Sequence, residues 1–236
     1  MSAAPHFSFS RVVKPYGGPL PLRIDALALH DGERIVLTGL DAMAAEMFMH
    51  VLTGAALPEE GTVEVFGRST RDIQTDTEWL ASLDRFGLVS NRAVLLDQST
   101  IAQNLALPLT LAIDPMADDV RAAVERMALG VGLATGRLDA LASTLTPDER
   151  MRVHLARAIA TDPTVLLLEH PTATLGTGGE AFGAALRALA DARGLAWLAI
   201  SDDADFQRAS GGRVRSVRPT GAVSSGGPFW RRWFST

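Results

Sequence analysis

The residues that most clearly suggest a ligand-binding site are Gly39–Glu46, GLDAMAAE. They follow the apolar segment ERIVLT and precede MFMHVLTG. The first of these flanking segments is typical of a buried strand and the second of a helix. A strand, a glycine turn and a helix are the setting of a phosphate-binding loop, whose pattern is G-x-x-x-x-G-K-[ST]. Gly39 fits the first position, but Ala44, Ala45 and Glu46 stand where glycine, lysine and a hydroxyl belong. The pattern predicts either a phosphate loop without its ligands or an ordinary turn.

Composition narrows the classes of function. Apolar residues make up 47% of the 236 residues, which predicts a folded chain with a substantial core. A net charge of −5 argues against electrostatic binding of nucleic acid. Cysteine is absent, which excludes disulfides and thiol chemistry. The five histidines show no close ligand spacing, so we expect no metal site; they are His6, His30, His50, His154 and His170.

Strand-like and helix-like segments alternate, and the most apolar strands predict a mostly parallel sheet covered on both faces. Residues 91–145 differ, because their patterns are helical with no convincing strand. We therefore expect an α/β core over 1–90 and 146–225, a helical subdomain over 91–145, and an aromatic and basic tail over 226–236. The first 13 residues lack signal-peptide features, and no apolar run reaches membrane-spanning length. These features favour a cytoplasmic protein.

Five segments, in order along the chain, resemble the nucleotide-binding domain of an ABC transporter. They are FSRVVKPYGG, GERIVLTG, LTGAALPEEGTVEVFGR, FGLVSNRAVLLDQSTIAQNLALPL and LTPDERMRVHLARAIATDPTVLLLEHPTATL. The resemblance extends over nearly the whole chain. It implies an ABC-ATPase-like P-loop fold: a mostly parallel core sheet, antiparallel N-terminal strands and an all-helical subdomain.

The resemblance also assigns roles around the phosphate loop. Tyr16 falls where the family stacks an aromatic ring on adenine, although a solvated turn tyrosine is the alternative. Ala45 replaces the lysine that holds the β- and γ-phosphates, and Glu46 replaces the hydroxyl that ligates magnesium. A glutamate near a helix start also has a purely structural explanation, because it interacts favourably with the helix dipole. Asn91 stands for the glutamine that contacts metal and water.

The remaining family positions are substituted as well. Glu169 replaces the aspartate that positions magnesium, and His170 replaces the glutamate that polarises the attacking water. Gly176 stands where an aspartate is usual, and Asp202 replaces the switch histidine. The signature L-S-G-G-Q becomes Leu145 followed by Thr146, Pro147, Asp148 and Glu149. This is a good capping box for a helix, but proline removes an N–H and two carboxylates oppose an anion.

Substitution at nearly every position that phosphoryl transfer needs predicts a pseudo-ATPase, a non-hydrolysing structural or regulatory subunit of a membrane transport complex. No catalytic residue is expected to be active, and ATP with magnesium is expected only if residual binding survives. The first alternative is a weak ATP-binding subunit or nucleotide sensor that uses Tyr16. The second is an unrelated doubly wound α/β protein.

The expected partners follow from the same resemblance. A membrane-spanning subunit would contact Asn91–Leu109, and the phrase NLALPL resembles transporters of the lipid- and lipoprotein-handling type. A homo- or heterodimer with an ABC-type ATPase subunit is expected, at the inner face of the membrane. The tail Phe229–Phe234 suits a membrane interface or a docking groove on a partner, although it could equally pack on its own domain.

Overall fold

The computed structural model describes residues 4–18, 20–217 and 223–225. The tail Phe229–Phe234 lies outside them. The strands are β1 Phe7–Lys14, β2 Leu22–Leu29, β3 Arg34–Thr38, β4 Glu60–Val65, β5 Arg68–Ser69, β6 Phe86–Ser90, β7 Val165–Glu169, β8 Ala196–Ile200, β9 Arg213–Val217 and β10 Val223–Ser225. The α-helices are α1 Ala42–Leu52, α2 Asp76–Leu83, α3 Ile101–Ala106, α4 Asp118–Gly130, α5 Pro147–Ala158, α6 Gly179–Arg193 and α7 Ala204–Ser210.

The strands form two sheets of different kinds. The four-stranded sheet has the order β2-β1-β4-β5 and is antiparallel. The six-stranded sheet has the order β10-β9-β3-β8-β7-β6, and its strands run parallel except for β10. This arrangement agrees with the predicted parallel core and antiparallel N-terminal strands.

Alternation along the central strands places side chains in two hydrophobic cores, one on each face of the parallel sheet. In β7, Leu166 and Leu168 pack into the core that includes helices α3 to α6. Val165 and Leu167 point the other way, into the core shared with α1 and the antiparallel sheet. Because both faces are covered, β8 is apolar throughout and β7 is apolar up to Glu169, as parallel strands usually are.

The region between β6 and α5 is helical. It contains α3, α4 and two short 3-10 turns, Thr135–Arg137 and Ala142–Thr144, with only two isolated β-bridges. Asn104 is fully buried here, accepting from the Leu96 N–H at 2.8 Å and donating to the carbonyls of Leu96 and Thr100 at 3.0 Å each. One buried side chain thereby fixes the loop that follows β6 to the first helix of this region.

Candidate functional site

Several predicted site residues converge at the carboxyl ends of the parallel strands. A cavity of about 440 Å³ lies there, lined by Ala42, Met43, Glu46, Ser90, Asn91, Arg92, Glu169, His170 and Ala173. Crevices at this edge of a parallel sheet are the usual ligand sites of such folds. The structure thus brings Glu46, Asn91, Glu169 and His170 together around one cavity.

Gly39 follows β3 and adopts a backbone conformation that L-amino acids avoid. Its φ is +83°, and a Cβ built on it would lie 2.6 Å from the carbonyl oxygen of Val217. Its N–H donates to Oδ1 of Asp202 at 2.9 Å. The glycine is therefore required by the fold itself, and the backbone donor that could meet a phosphate is bonded to a carboxylate of the same chain.

Helix α1 begins earlier than the sequence pattern suggested. Asp41 caps it by accepting from the Ala44 N–H at 2.8 Å, and the Ala45 N–H donates to the Asp41 carbonyl at the same distance. Ala44 and Ala45 are buried, so no side chain reaches from them toward a ligand. Glu46 lies in the second turn rather than the first, and its explanation by the helix dipole is wrong because that effect decays within one turn.

Arg92 is the functional-site residue that the sequence reasoning missed. Its guanidinium contacts two carboxylates from different elements: Nη2 donates to Oε2 of Glu169 at 2.7 Å, and Nη1 lies 2.5 Å from Oε1 of Glu46. Burial lowers the pKa of Arg92, but the two carboxylates outweigh that effect, so its pKa is raised above the ordinary value. The expected repulsion between Glu46 and a polyanion is accordingly reduced, because Glu46 already has a counter-ion.

A hydrogen bond from the Asn91 side chain to the His170 backbone joins these two residues directly. The Asn91 amide donates to the His170 carbonyl at 2.8 Å. His170 has a φ of +43°, which is uncommon for a residue other than glycine, and its Nε2 is buried with no hydrogen-bond partner among the described residues. A second contact thus joins the loop after β6 to the end of β7.

Tyr16 lies outside the main cavity, in a smaller one of about 210 Å³ that it shares with Gly39, Asp41, Ala44 and Val217, among others. Burial, and then the negative charge of Asp41, raise the pKa of the Tyr16 phenol. Lys14, the single lysine of the chain, lies 3.9 Å from Glu59. The aromatic ring is therefore placed beside the start of α1, whereas Lys14 is paired elsewhere.

The signature position forms the start of α5. Thr146 and Glu149 complete a capping box, and Glu149 also contacts Arg137. Nε of Arg152 donates to Oδ2 of Asp148 at 2.6 Å. None of these residues lines the cavity described above. Both carboxylates have cationic partners, so the segment is a stable helix start with its charges compensated internally.

The charges in this site determine what chemistry it can perform. Among its lining residues the cation is Arg92, which two carboxylates share. Within the described part of the chain, no group of three or more histidine or acidic side chains could hold a metal ion. The same residues include no helix long and apolar enough to cross a membrane. Phosphoryl transfer depends on a cation and metal placed around the phosphates, and in this chain Ala45 and Glu46 stand where the family resemblance puts the lysine and the magnesium-ligating hydroxyl.

The chain is similar to several proteins of known class. A methionine import ATP-binding protein (MetN) from Brucella abortus is 27% identical over 231 residues, covering 98% of this chain and 62% of the relative. MetN 2 from Burkholderia mallei is 32% identical, covering 95% of this chain and 57% of the relative. The chain thus spans about three fifths of the length of these relatives. The lipoprotein-releasing system ATP-binding protein LolD from Shewanella denitrificans is 27% identical over 184 residues, covering 76% of this chain and 77% of LolD.

Solved structures support the same fold. The dimeric bacterial ABC transporter cassette MJ0796 superposes with a TM-score of 0.74 at 22% identity, over 92% of this chain and 96% of the cassette. CbiO1 from Clostridium perfringens superposes with a TM-score of 0.73 at 17% identity, over 93% of this chain and 87% of CbiO1. The predicted ABC-ATPase-like fold is confirmed. A family model described as ABC transporter matches residues 22–173, more than half of the sequence, and the chain therefore belongs to the ABC transporter family.

Proposed function

We propose that this chain is a non-hydrolysing member of the family, a structural or regulatory subunit of a membrane transport complex. The observation that supports this most directly is the Arg92 bridge between Glu46 and Glu169. By the family resemblance Glu46 and Glu169 stand at positions that contact magnesium, and in this chain their carboxylates share the side-chain cation of Arg92.

Electrostatics support the absence of tight magnesium-nucleotide binding. An incoming triphosphate would meet the carboxylates of Asp41 and Asp202 without a lysine to offset them, and it would compete with Glu46 and Glu169 for Arg92. Each unscreened pair of unit charges about 4 Å apart costs about 4 kcal/mol at an effective dielectric near 20. The backbone donors of Gly39 and Ala44 already bond to carboxylates, so phosphate oxygens would have to displace them.

The transport role is inferred from the family and from its relatives. The named relatives are ATP-binding proteins of methionine import and of lipoprotein release. We propose that Asn91–Leu109 contacts a membrane-spanning subunit at the inner face of the membrane. Next to this segment lies a cavity of about 380 Å³ whose lining includes Leu88, Ala93, Leu107 and Pro108. A homo- or heterodimer with an ABC-type ATPase subunit belongs to the same proposal.

A second candidate function is weak nucleotide binding or sensing. The cavity beside Tyr16 favours it, because an aromatic ring remains at the position where the family stacks adenine. In that case the base would provide most of the affinity, and the phosphates would contribute little.

Calorimetric titration of the full chain with magnesium-ATP, together with a phosphate-release assay, tests these alternatives. The proposal predicts that this chain binds magnesium-ATP no tighter than millimolar and shows no turnover above buffer. A family member that has an intact phosphate loop is assayed in parallel as the positive control. Micromolar binding with turnover would overturn it. Weak binding that disappears in Tyr16→Ala, without turnover, would instead establish the nucleotide-sensing alternative.

A further inference from the structure

The geometry points to a structural role for Arg92: its guanidinium is a built-in cation that fixes the entry to the helical region, residues 91–145, without nucleotide. This inference deepens the proposed function, because it assigns to one side chain the ordering that a bound ligand would otherwise provide at the same site. Arg92 is a positioning residue in this role.

The first argument is burial of one of its partners. Glu169 ends β7 and is 8% exposed, whereas Glu46 on α1 and Arg92 itself are roughly half exposed. A carboxylate that has lost most of its hydration needs a charged or hydrogen-bonding partner close by. Nη2 of Arg92, at 2.7 Å, is the hydrogen-bond donor that meets this need in the structure.

The second argument is the match of the guanidinium to two acceptors. Nη1 and Nη2 contact carboxylates on α1 and β7, elements that the chain places far apart in sequence. A planar fork of donors can serve both at once, which a lysine ammonium does less well. Without Arg92, Glu46 and Glu169 would face each other with no shared counter-ion.

The third argument is the position of Arg92 in the chain. It lies two residues beyond the end of β6, in the loop that leads to α3. Its neighbour Asn91 bonds to the His170 carbonyl, so two successive side chains attach this loop to the end of β7. Because the helical region begins here, the orientation of its first residues depends on these contacts.

Hydrogen–deuterium exchange of the full chain tests the inference. In Arg92→Ala we expect the amides of residues 91–96 to exchange about tenfold faster than in the wild type, since a charged hydrogen bond is lost. Millimolar guanidinium chloride should restore slow exchange in that variant by supplying the missing cation, whereas sodium chloride at equal ionic strength should not. Arg92→Lys should show intermediate protection and covers the case in which the alanine variant folds poorly.

Arg68→Ala is the matched control, because Arg68 also pairs with a glutamate, Glu78 at 2.9 Å, in another part of the molecule. It should leave exchange at residues 91–96 unchanged. Unchanged exchange there in Arg92→Ala, or equal rescue by sodium and guanidinium ions, would overturn the inference. Tight magnesium-ATP binding by the wild-type chain would instead refute the proposed non-hydrolysing function and leave the exchange result standing.

Discussion

His154 links the stability of this chain to pH through burial. It lies on α5, is 5% exposed and lines the cavity beside Leu107 and Pro108. Burial, and then the positive charges of Arg157 and Arg150, lower the pKa of His154 from 6.5 to about 4. Asp84, the acidic residue in the same lining, is exposed and so offers little compensation. The folded chain therefore keeps this imidazole neutral at pH values where the unfolded chain protonates it.

The sign and size of the effect follow from proton linkage. Above pH 6.5 both states hold His154 neutral, and its full contribution to stability is present. As pH falls from 6.5 to about 4, the unfolded state binds a proton that the folded state does not, so stability decreases. At about 1.4 kcal/mol per pH unit, the loss across this interval is about 3 kcal/mol.

Urea denaturation of the wild type and of His154→Leu at several pH values between 7.5 and 4.5 isolates this contribution, since the two proteins share their other titrating groups. We expect the wild type to lose more stability than the variant as the pH falls, with the difference growing steadily below pH 6.5. Two stability curves that remain parallel throughout would refute the assignment of His154 as a buried neutral imidazole.

Two further substitutions test the fold around the site. Gly39→Ala should cost about 2 kcal/mol or more of unfolding free energy, because Gly39 has a positive φ and lies close to Val217. Gly32→Ala, also at positive φ but with open space around it, should cost less. Equal losses of stability in urea denaturation would contradict this reasoning. Asn104→Ala should cost about 1–3 kcal/mol, because it removes the three hydrogen bonds that this fully buried side chain makes with the backbone of Leu96 and Thr100. A loss below about 0.5 kcal/mol, within the range of ordinary surface substitutions, would refute that role for Asn104.

The sequence predicted those parts of the fold whose signals are local. The bounds of β3, Arg34–Thr38, agree with the apolar segment ERIVLT, whose three central residues in the strand are buried. α5 begins at Pro147 with Thr146 as its N-cap, in agreement with the capping box predicted from the sequence. The sequence pattern predicts too late a start for α1, because it puts Asp41 in the glycine turn, whereas Asp41 caps the helix in the structure.

The candidate site was less predictable because its main contact joins distant parts of the chain. Arg92 is 77 residues from Glu169 in sequence, and no spacing rule connects them. Glu46, Asn91 and Glu169 each correspond to a family position in the sequence analysis, whereas no family position was carried over to residue 92. The available signal was Glu169 at the end of the apolar run VLLLE, since a carboxylate at a buried strand end requires a partner.

The substitutions in this site are physically consistent with one another. Glu46 adds negative charge where the family resemblance puts a hydroxyl, whereas Glu169 keeps the carboxylate of the aspartate that it replaces. Arg92 lies between these two carboxylates, so that without any ligand the cluster carries one net negative charge instead of two. Asp202 likewise accepts a hydrogen bond from the Gly39 N–H, which could otherwise donate to a phosphate oxygen. A site built in this way derives its order from internal pairs, which is why we interpret the substitutions as a set rather than as independent losses.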